Sequence, residues 1–203
     1  ESFTITASDG ELSDSQIIDV TITAINDAPE LSQISDVTFN EDNTSSISLS
    51  GSDTENSALI YSVSTGTDIN AMLDGNEITF SATADYNGSE SFTISVSDGD
   101  LIDSQTINVT VIGINDRPIL NNISNVTFDE DSSTNITVGG TDVEGSELTY
   151  TISSGTNINA TLDGNEITFS AAANYNGSES FTITASDGEL SDSQIIDVTI
   201  TAI

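Results

Sequence analysis

The chain has 203 residues and carries 34 aspartates and glutamates against one basic residue, Arg117, for a net charge of −33. So negative a chain cannot neutralise phosphate and is repelled by anionic lipid, and it has no run of about 18 apolar residues, so we expect neither nucleic-acid binding nor membrane insertion. It contains no cysteine and no histidine, which excludes disulfide bonds and disfavours zinc and copper.

The sequence repeats with a period of 89 residues. Residues 1–25 return letter for letter at 179–203, and a close variant occupies 90–114. This period matches one small all-β domain. We therefore expect one repeat at 26–114 and a second at 115–203, with 1–25 as the C-terminal F–G strands of a preceding repeat.

Seven segments of each repeat alternate apolar and polar residues, which is the pattern of half-buried antiparallel strands. The first full repeat predicts, in chain order, strand A at 34–39, B at 46–50, C around Leu59, Tyr61 and Val63, D at 69–73, E around Ile78 and Phe80, F around Phe92, Ile94 and Val96, and G around Ile107, Val109 and Val111. Asp74-Gly75 predicts a tight turn between D and E, because this pair tolerates positive φ. The fold class is therefore all-β, with tandem seven-stranded Greek-key sandwiches of the immunoglobulin type.

Two smaller features can be interpreted from their positions alone. Tyr86, just before strand F, is either a tyrosine corner whose hydroxyl bonds the backbone or an ordinary aromatic at the rim. Asp14, Asp103 and Asp192, at the start of strand G, are expected only to increase solubility.

Most acidic residues fall in the loops between strands. In such a sandwich the N-terminus and the B–C, D–E and F–G loops share one end, and the A–B and E–F loops share the other with the C-terminus. End-to-end stacking of repeats would bring the acids of two facing ends into one junction. The predicted metal ligands are Asn26, Asp27, Glu41, Asp53, Glu55, Asp85, Asp98, Asn115, Asp116, Glu130, Asp142, Glu144 and Asp187.

Calcium is the cation that this ligand set favours. Many carboxylates in a small volume need a cation or must protonate. Calcium accepts six to eight oxygens from carboxylates, amides and backbone in flexible geometry. The alternative is that the acids are solvated turn residues, since aspartate and asparagine bond their own backbone in turns.

The closing segment of the first repeat resembles that of a cadherin repeat. It runs from Phe92 through Asp98-Gly99 to the linker Asn115-Asp116-Arg117-Pro118. Asp142-x-Glu144 resembles the paired acids of the cadherin B–C loop, and Glu41 the acid at the base of the first strand. The sequence pattern is similar to that of the bacterial cadherin-like and immunoglobulin-like tandem repeats of giant surface adhesins. The resemblance covers essentially the whole chain and implies stalk or adhesion modules that often hold calcium at their linkers.

The leading hypothesis is thus a structural stalk or adhesion repeat of a long secreted or cell-surface protein, stiffened by calcium at the repeat junctions. Its expected partners are neighbouring repeats, other copies through strand pairing, and surface glycans or proteins. Two alternatives stay open: a calcium-dependent carbohydrate-binding module, and a subunit of an extracellular filament assembled by strand complementation through 1–25. Enzymatic activity is not expected, because histidine, cysteine and lysine are lacking for acid–base or nucleophilic work.

Overall fold

The structure, a computed structural model, describes all residues 1–203 and consists of strands, turns and loops. It divides into two compact units, Glu1–Val111 and Ile112–Ile203. No helix that could cross a membrane is formed.

The strands have the following bounds. Those beginning in the first unit are β1 (Ser2–Ser8), β2 (Ser13–Asp19), β3 (Glu30–Leu31), β4 (Val37–Asn40), β5 (Thr44–Ser48), β6 (Gly51–Ser52), β7 (Ile60–Val63), β8 (Ile69–Asp74), β9 (Glu77–Ala82), β10 (Gly88–Ser97) and β11 (Ile102–Ile112). Those of the second are β12 (Ile119–Leu120), β13 (Val126–Asp129), β14 (Ser133–Thr137), β15 (Gly140–Thr141), β16 (Thr149–Ile152), β17 (Ile158–Asp163), β18 (Glu166–Ala171), β19 (Gly177–Ser186) and β20 (Ser191–Thr201).

Each unit contains a Greek-key sandwich, as predicted. In the first unit one sheet has the order β4-β11-β10-β7 and the other β5-β9-β8. The second unit repeats this arrangement as β13-β20-β19-β16 and β14-β18-β17, with β13 parallel to β20. The all-β prediction is therefore confirmed.

The first strand of each sandwich is broken, which the alternation pattern did not predict. In the first unit β3 pairs with β6, whereas β4 belongs to the sheet of β11. Strand A thus changes sheets along its length, and strand B is likewise interrupted between β5 and β6. The first sandwich therefore has nine strand segments, β3 to β11, where seven continuous strands were expected.

Side chains of strand G form hydrogen bonds with the backbone where strand A is interrupted. Asp103 accepts a hydrogen bond from the backbone N–H of Leu31 at 2.8 Å. The Gln105 amide accepts one from the N–H of Ile34 at 3.0 Å and donates to the Leu31 carbonyl at 2.9 Å. Backbone groups that leave the ladder are thereby satisfied by side chains.

The second unit repeats these contacts. Asp192 accepts from Leu120 N–H at 2.9 Å, and Gln194 accepts from Ile123 N–H at 2.9 Å. The interpretation of Asp103 and Asp192 as merely solubilising is therefore wrong. Their parity along the strand, the same as that of the buried core residues, is the signal that could have revealed an inward role.

The two sheets of each unit enclose an apolar core built around an aromatic pair. Phe80 and Phe92 meet edge to face with their ring centroids 5.3 Å apart, and both are fully buried. Phe169 and Phe181 repeat this pair at 5.3 Å in the second unit. Edge-to-face packing adds to the stabilisation that comes from burying the ring area.

A glutamate on strand F fixes the loop between strands C and D. Glu90 accepts hydrogen bonds from the backbone N–H groups of Thr67 at 2.9 Å and Asp68 at 2.8 Å. The bond from Asp68 lowers the pKa of Glu90 more than partial desolvation raises it. This loop passes close beneath the carboxylate, and a Cβ at Gly66 would strike the backbone carbonyl of Ile69.

Glu179 has the same role in the second unit. It accepts from the N–H groups of Thr156 at 2.9 Å and Asn157 at 2.8 Å. Desolvation acts to raise the pKa of Glu179, but the hydrogen bonds outweigh it and the pKa is lowered. An acid in the inward register of a core strand is thus satisfied by backbone amides rather than by a basic partner.

Replacing Glu179 by glutamine is expected to destabilise the second unit by about 1 to 3 kcal/mol, because charge-assisted bonds to backbone N–H groups weaken. The folded-state pKa lies below the unfolded value of about 4.3, so this stabilisation is complete above that pH and is lost as the pH falls through the folded-state pKa. In thermal melts from pH 7 to pH 2, the difference in melting temperature between parent and variant should be constant at the higher pH values. It should shrink towards zero below about pH 4. Glu189→Gln, at an exposed loop position, is the charge-matched control; an equal effect of both substitutions would contradict the anchoring role.

Tyr86 is a rim aromatic rather than a tyrosine corner. Its hydroxyl makes no hydrogen bond to the backbone and lies over Gly88, where an added Cβ would be 2.5 Å from the hydroxyl oxygen. Desolvation, followed by the charges of Glu90 and Asp68, raises the pKa of Tyr86. The residue after Asn87 therefore has to be small.

Candidate metal centre

The linker that enters the first sandwich is bound to two loops. The Asn26 side-chain amide donates to a carboxylate oxygen of Asp98, in the F–G loop, at 2.7 Å. The backbone N–H of Asp27 donates to Glu55, in the B–C loop, at 3.3 Å. Residues more than 25 positions apart in sequence are thereby gathered at one end of the unit.

The second unit reproduces this network. Asn115 donates to Asp187 at 2.9 Å, and the N–H of Asp116 donates to Glu144 at 3.3 Å. Carboxylate oxygens of Asp116 and Glu144 also lie within 4.8 Å of each other. Two like charges at this distance repel unless a cation lies between them or one is protonated.

The first acid of each B–C loop has one oxygen in use and one without a partner. Asp53 accepts from the N–H of Ser57 at 2.8 Å, and Asp142 accepts from Ser146 at 2.9 Å. The second oxygen of each, Oδ2, is buried and makes no hydrogen bond. A buried carboxylate oxygen without a hydrogen-bond donor is costly, so this atom is the one in the loop most suited to bind a cation.

The backbone of the B–C loop is shaped for this arrangement. Asn56 has φ 59° and Gly145 has φ 75° at the equivalent turn. Both residue types tolerate the left-handed region, so the loop can return its N–H groups to the aspartate at its start.

The F–G acids remain ionised to low pH. The backbone N–H of Leu101 and then the Asn26 amide lower the pKa of Asp98. The Asn115 amide and then the N–H of Glu189 do the same for Asp187. A carboxylate that stays charged without a basic partner is suited to bind a cation.

The other end of each sandwich carries a smaller acidic group. Asp42 and Asp85 both have φ 58°, and their carboxylate oxygens approach within 4.8 Å. They are separated from Asp98 by the ten residues of β10, about 30 Å of strand. Glu41 belongs to the same A–B turn as Asp42.

The equivalent end of the second unit is arranged differently. Glu130 accepts from the N–H of Ile203 at 3.1 Å. Asp131, with φ 60°, accepts from the N–H of Asn174 at 3.3 Å, where the first unit has Asp85. One carboxylate is replaced here by an amide.

The oxygen atoms at the linker end are ligands of the kind that a hard cation prefers. Carboxylates, side-chain amides and backbone carbonyls are the ligands of calcium, and the loops can supply several of each. The structure gathers Asn26, Asp27, Glu55 and Asp98 in the first unit, with Asp53 in the same B–C loop. It gathers their counterparts in the second unit and places Glu41, Asp85 and Glu130 at the opposite ends.

The fold and these loops define a class of protein: tandem β-sandwich domains of the immunoglobulin and cadherin type with acidic inter-repeat linkers. The model of the bacterial Ig domain family matches the chain twice, at residues 26–110 and 115–199. The chain belongs to the bacterial Ig domain family. No curated protein matches it.

Solved structures show the same fold. Human protocadherin-24 repeats EC1-2 are 17% identical, with 87% of this chain and 100% of that chain covered and a TM-score of 0.57. Mouse cadherin-23 EC22-24 is 20% identical, with 100% and 74% covered and a TM-score of 0.52. Protocadherin gamma B2 domains 1–5 are 22% identical, with 100% and 45% covered and a TM-score of 0.56. Identities this low establish likeness of fold.

Proposed function

We propose that the chain is a structural stalk or adhesion segment built from two complete repeats, 26–114 and 115–203. Two copies of one bacterial Ig domain in tandem suggest a structural or adhesion repeat. A structural role needs length and stiffness rather than a catalytic cleft, and the family assignment favours a non-enzymatic protein. The setting we propose is extracellular, secreted or on the cell surface.

Calcium binding at the linker end of each repeat is the second part of the proposal. The observation that carries it is the buried Oδ2 of Asp53 and of Asp142, which no donor satisfies. The same linker, B–C and F–G contacts occur in both units, so the arrangement is not an accident of one loop. A calcium ion would neutralise these loops and supply the missing partner of the buried oxygen.

Stiffening of the array would follow if the opposite end of the preceding repeat completed the coordination. Glu41 and Asp85 of the first repeat are the residues proposed for this, with Asn115, Asp116, Asp142, Glu144 and Asp187 of the second; Glu130 is proposed for the next junction. A cation held by both repeats would fix the angle between them. The partners of the array are then neighbouring repeats first, with surface glycans or proteins as further partners.

Calorimetric titration of the chain with calcium tests the site. We expect binding in the parent and loss of about 10-fold or more in affinity when Asp53 and Asp142 are both replaced by asparagine, because each change removes a ligand charge. Asp74→Asn with Asp163→Asn, in the exposed D–E turns, changes the net charge equally and should leave binding intact. An equal loss of calcium affinity in both double variants would show that the effect comes from net charge and not from a specific site. Absence of binding heat in the parent would contradict the calcium proposal.

Small-angle scattering tests the stiffening separately. Asp142→Asn with Asp187→Asn should broaden the distribution of inter-repeat distances in calcium while circular dichroism shows both sandwiches folded. Coincident scattering profiles of parent and variant, with and without calcium, would contradict stiffening even if calcium binds.

A further inference from the structure

The four-stranded sheet of the first sandwich has an outer face without charge. This sheet consists of β4, β11, β10 and β7, and only two acids lie in these strands, Glu90 and Asp103. Both occupy the inward register, since Glu90 alternates with buried Phe92 and Asp103 bonds the backbone of Leu31. Another acidic body can therefore approach this face closely without meeting a like charge on it.

Two exposed isoleucines lie on this face near the F–G loop. Ile60 of β7 is 64% exposed, and Ile102 of β11 is 66% exposed. Both are paired with Ser97 of β10, one on each side, so about 10 Å separates them. Leu101, which precedes Ile102, is 41% exposed. Exposed apolar side chains gathered on an uncharged sheet face indicate an interaction surface.

Hydroxyl groups on this face already have hydrogen-bond partners within the sheet. Ser97 donates to the carbonyl of Leu101 at 2.9 Å, and Ser91 donates to the side-chain oxygen of Asn108 at 2.9 Å. Hydroxyl groups bonded in this way can be covered at little cost, because no donor is left unsatisfied. The arrangement favours packing against a similar face over binding a glycan, which requires free donors and acceptors.

The second sandwich differs at the same positions. Thr149 and Ser191 replace the two isoleucines, and Asp129 and Asp197 replace two asparagines. Its own exposed isoleucine on this face, Ile195, lies two residues from Asp197 on the same strand. The uncharged face with its apolar side chains therefore belongs to the first repeat and is not a general consequence of the fold.

We propose that this face binds a second copy of the chain, with the two faces packed against each other about a two-fold axis. In such a contact the same patch is used by both copies, so each isoleucine pair meets an equivalent apolar surface. Each copy has a net charge of −33, which opposes contact through acidic surfaces and favours a face without acids. The proposal does not depend on calcium binding.

The dimensions of the face predict weak pairing. The ten residues of β10 extend over about 33 Å and three strand spacings add about 14 Å of width, so two faces would bury roughly 1,000 Å². This area is at the low end for specific interfaces. Asp98 and Asp100, in the adjoining F–G loop, would repel their counterparts at the rim, so added salt should strengthen the pairing.

Sedimentation equilibrium of the whole chain in chelator tests the proposal. We expect a dimer fraction that rises with protein concentration and with sodium chloride, because screening weakens the repulsion between the rims. Ile60→Thr with Ile102→Ser introduces the residues that the second sandwich carries in the same fold. This double variant should weaken dimerisation by about 100-fold or more, because two apolar side chains are lost from each copy. Circular dichroism should show it folded.

Met72→Thr is the matched control. Met72 is 64% exposed on the outer face of the opposite sheet, and the second repeat has Thr161 at this position. This substitution should leave dimerisation unchanged, and an equal weakening by it would overturn the proposal. A parent that stays monomeric at millimolar concentration and high salt would also overturn it, in favour of a different partner. So would a dimer that persists in the isoleucine variant, since its contact would lie elsewhere.

Discussion

Calcium is expected to raise the melting temperature of the chain by about 10 °C or more over that in chelator. An ion that binds only the folded state adds about 2.7 kcal/mol at a free concentration 100-fold above its dissociation constant, and 1 kcal/mol shifts a domain of this size by about 4–8 °C. The chelated state is further weakened by repulsion within a chain of net charge −33. Differential scanning calorimetry in calcium and in chelator measures the difference.

Simple screening has to be separated from site binding in that experiment. Sodium chloride at matched ionic strength relieves self-repulsion but cannot partner the buried Oδ2 of Asp142, so it should give only a small part of the rise. The double variant of Asp53 and Asp142 to asparagine should lose most of the calcium response and keep the salt response. Equal rises in melting temperature with sodium and with calcium would contradict a specific calcium site and would indicate an acidic spacer stabilised by screening alone.

Replacement of Gly155 by alanine is expected to unfold the second repeat or lower its melting temperature by more than about 8 °C. The new Cβ would strike the backbone carbonyl of Ile158 and lie 2.6 Å from Glu179 Oε2 and 2.7 Å from the ring of Phe181. Overpacking against backbone costs about 1–3 kcal/mol, and displacing Glu179 from its amides adds about 1–3 kcal/mol more. An 89-residue domain has only about 4–13 kcal/mol of stability.

Gly139→Ala is the matched control for this substitution. Its Cβ would meet only the side chain of Asn121 at 3.3 Å, and the first repeat carries Ser50 at the equivalent position. The melting temperature should change by no more than about 2 °C, and the first repeat should serve as an unaffected internal reference in both variants. A folded Gly155→Ala protein with parent-like stability would show that the C–D loop does not press on Glu179 as described.

Strand alternation predicted the sandwich because its periodicity is local. The cores around Phe80, Phe92, Ile107 and Val109 lie where alternation placed them. The break in strand A was not predictable in this way, because it depends on Asp103 and Gln105 more than 70 positions away. Within the predicted strand A at 34–39 the strand resumes only at Val37, and the earlier part of strand A, β3, lies at Glu30–Leu31, outside the predicted bounds.

The grouping of the candidate site residues was predictable in part, because it follows from the order of the strands. Topology correctly grouped Asn26 with Asp98 and Asp27 with Glu55, since loop ends are fixed by strand order. Sequence could not show that Asp53 would have one carboxylate oxygen satisfied by Ser57 and the other buried without a donor. That difference depends on how the loop closes in three dimensions.

The two identical segments, 1–25 and 179–203, separate what sequence determined from what tertiary structure decided. Sequence alone fixes the hairpin and its register, because the cross-strand hydrogen bonds lie within the segment. Burial differs completely between the copies, since Phe181 is 0% exposed and Phe3 is 48% exposed. Local bonding needs only neighbours in the chain, whereas burial needs strands that the hairpin does not contain, and only the tertiary structure supplies them.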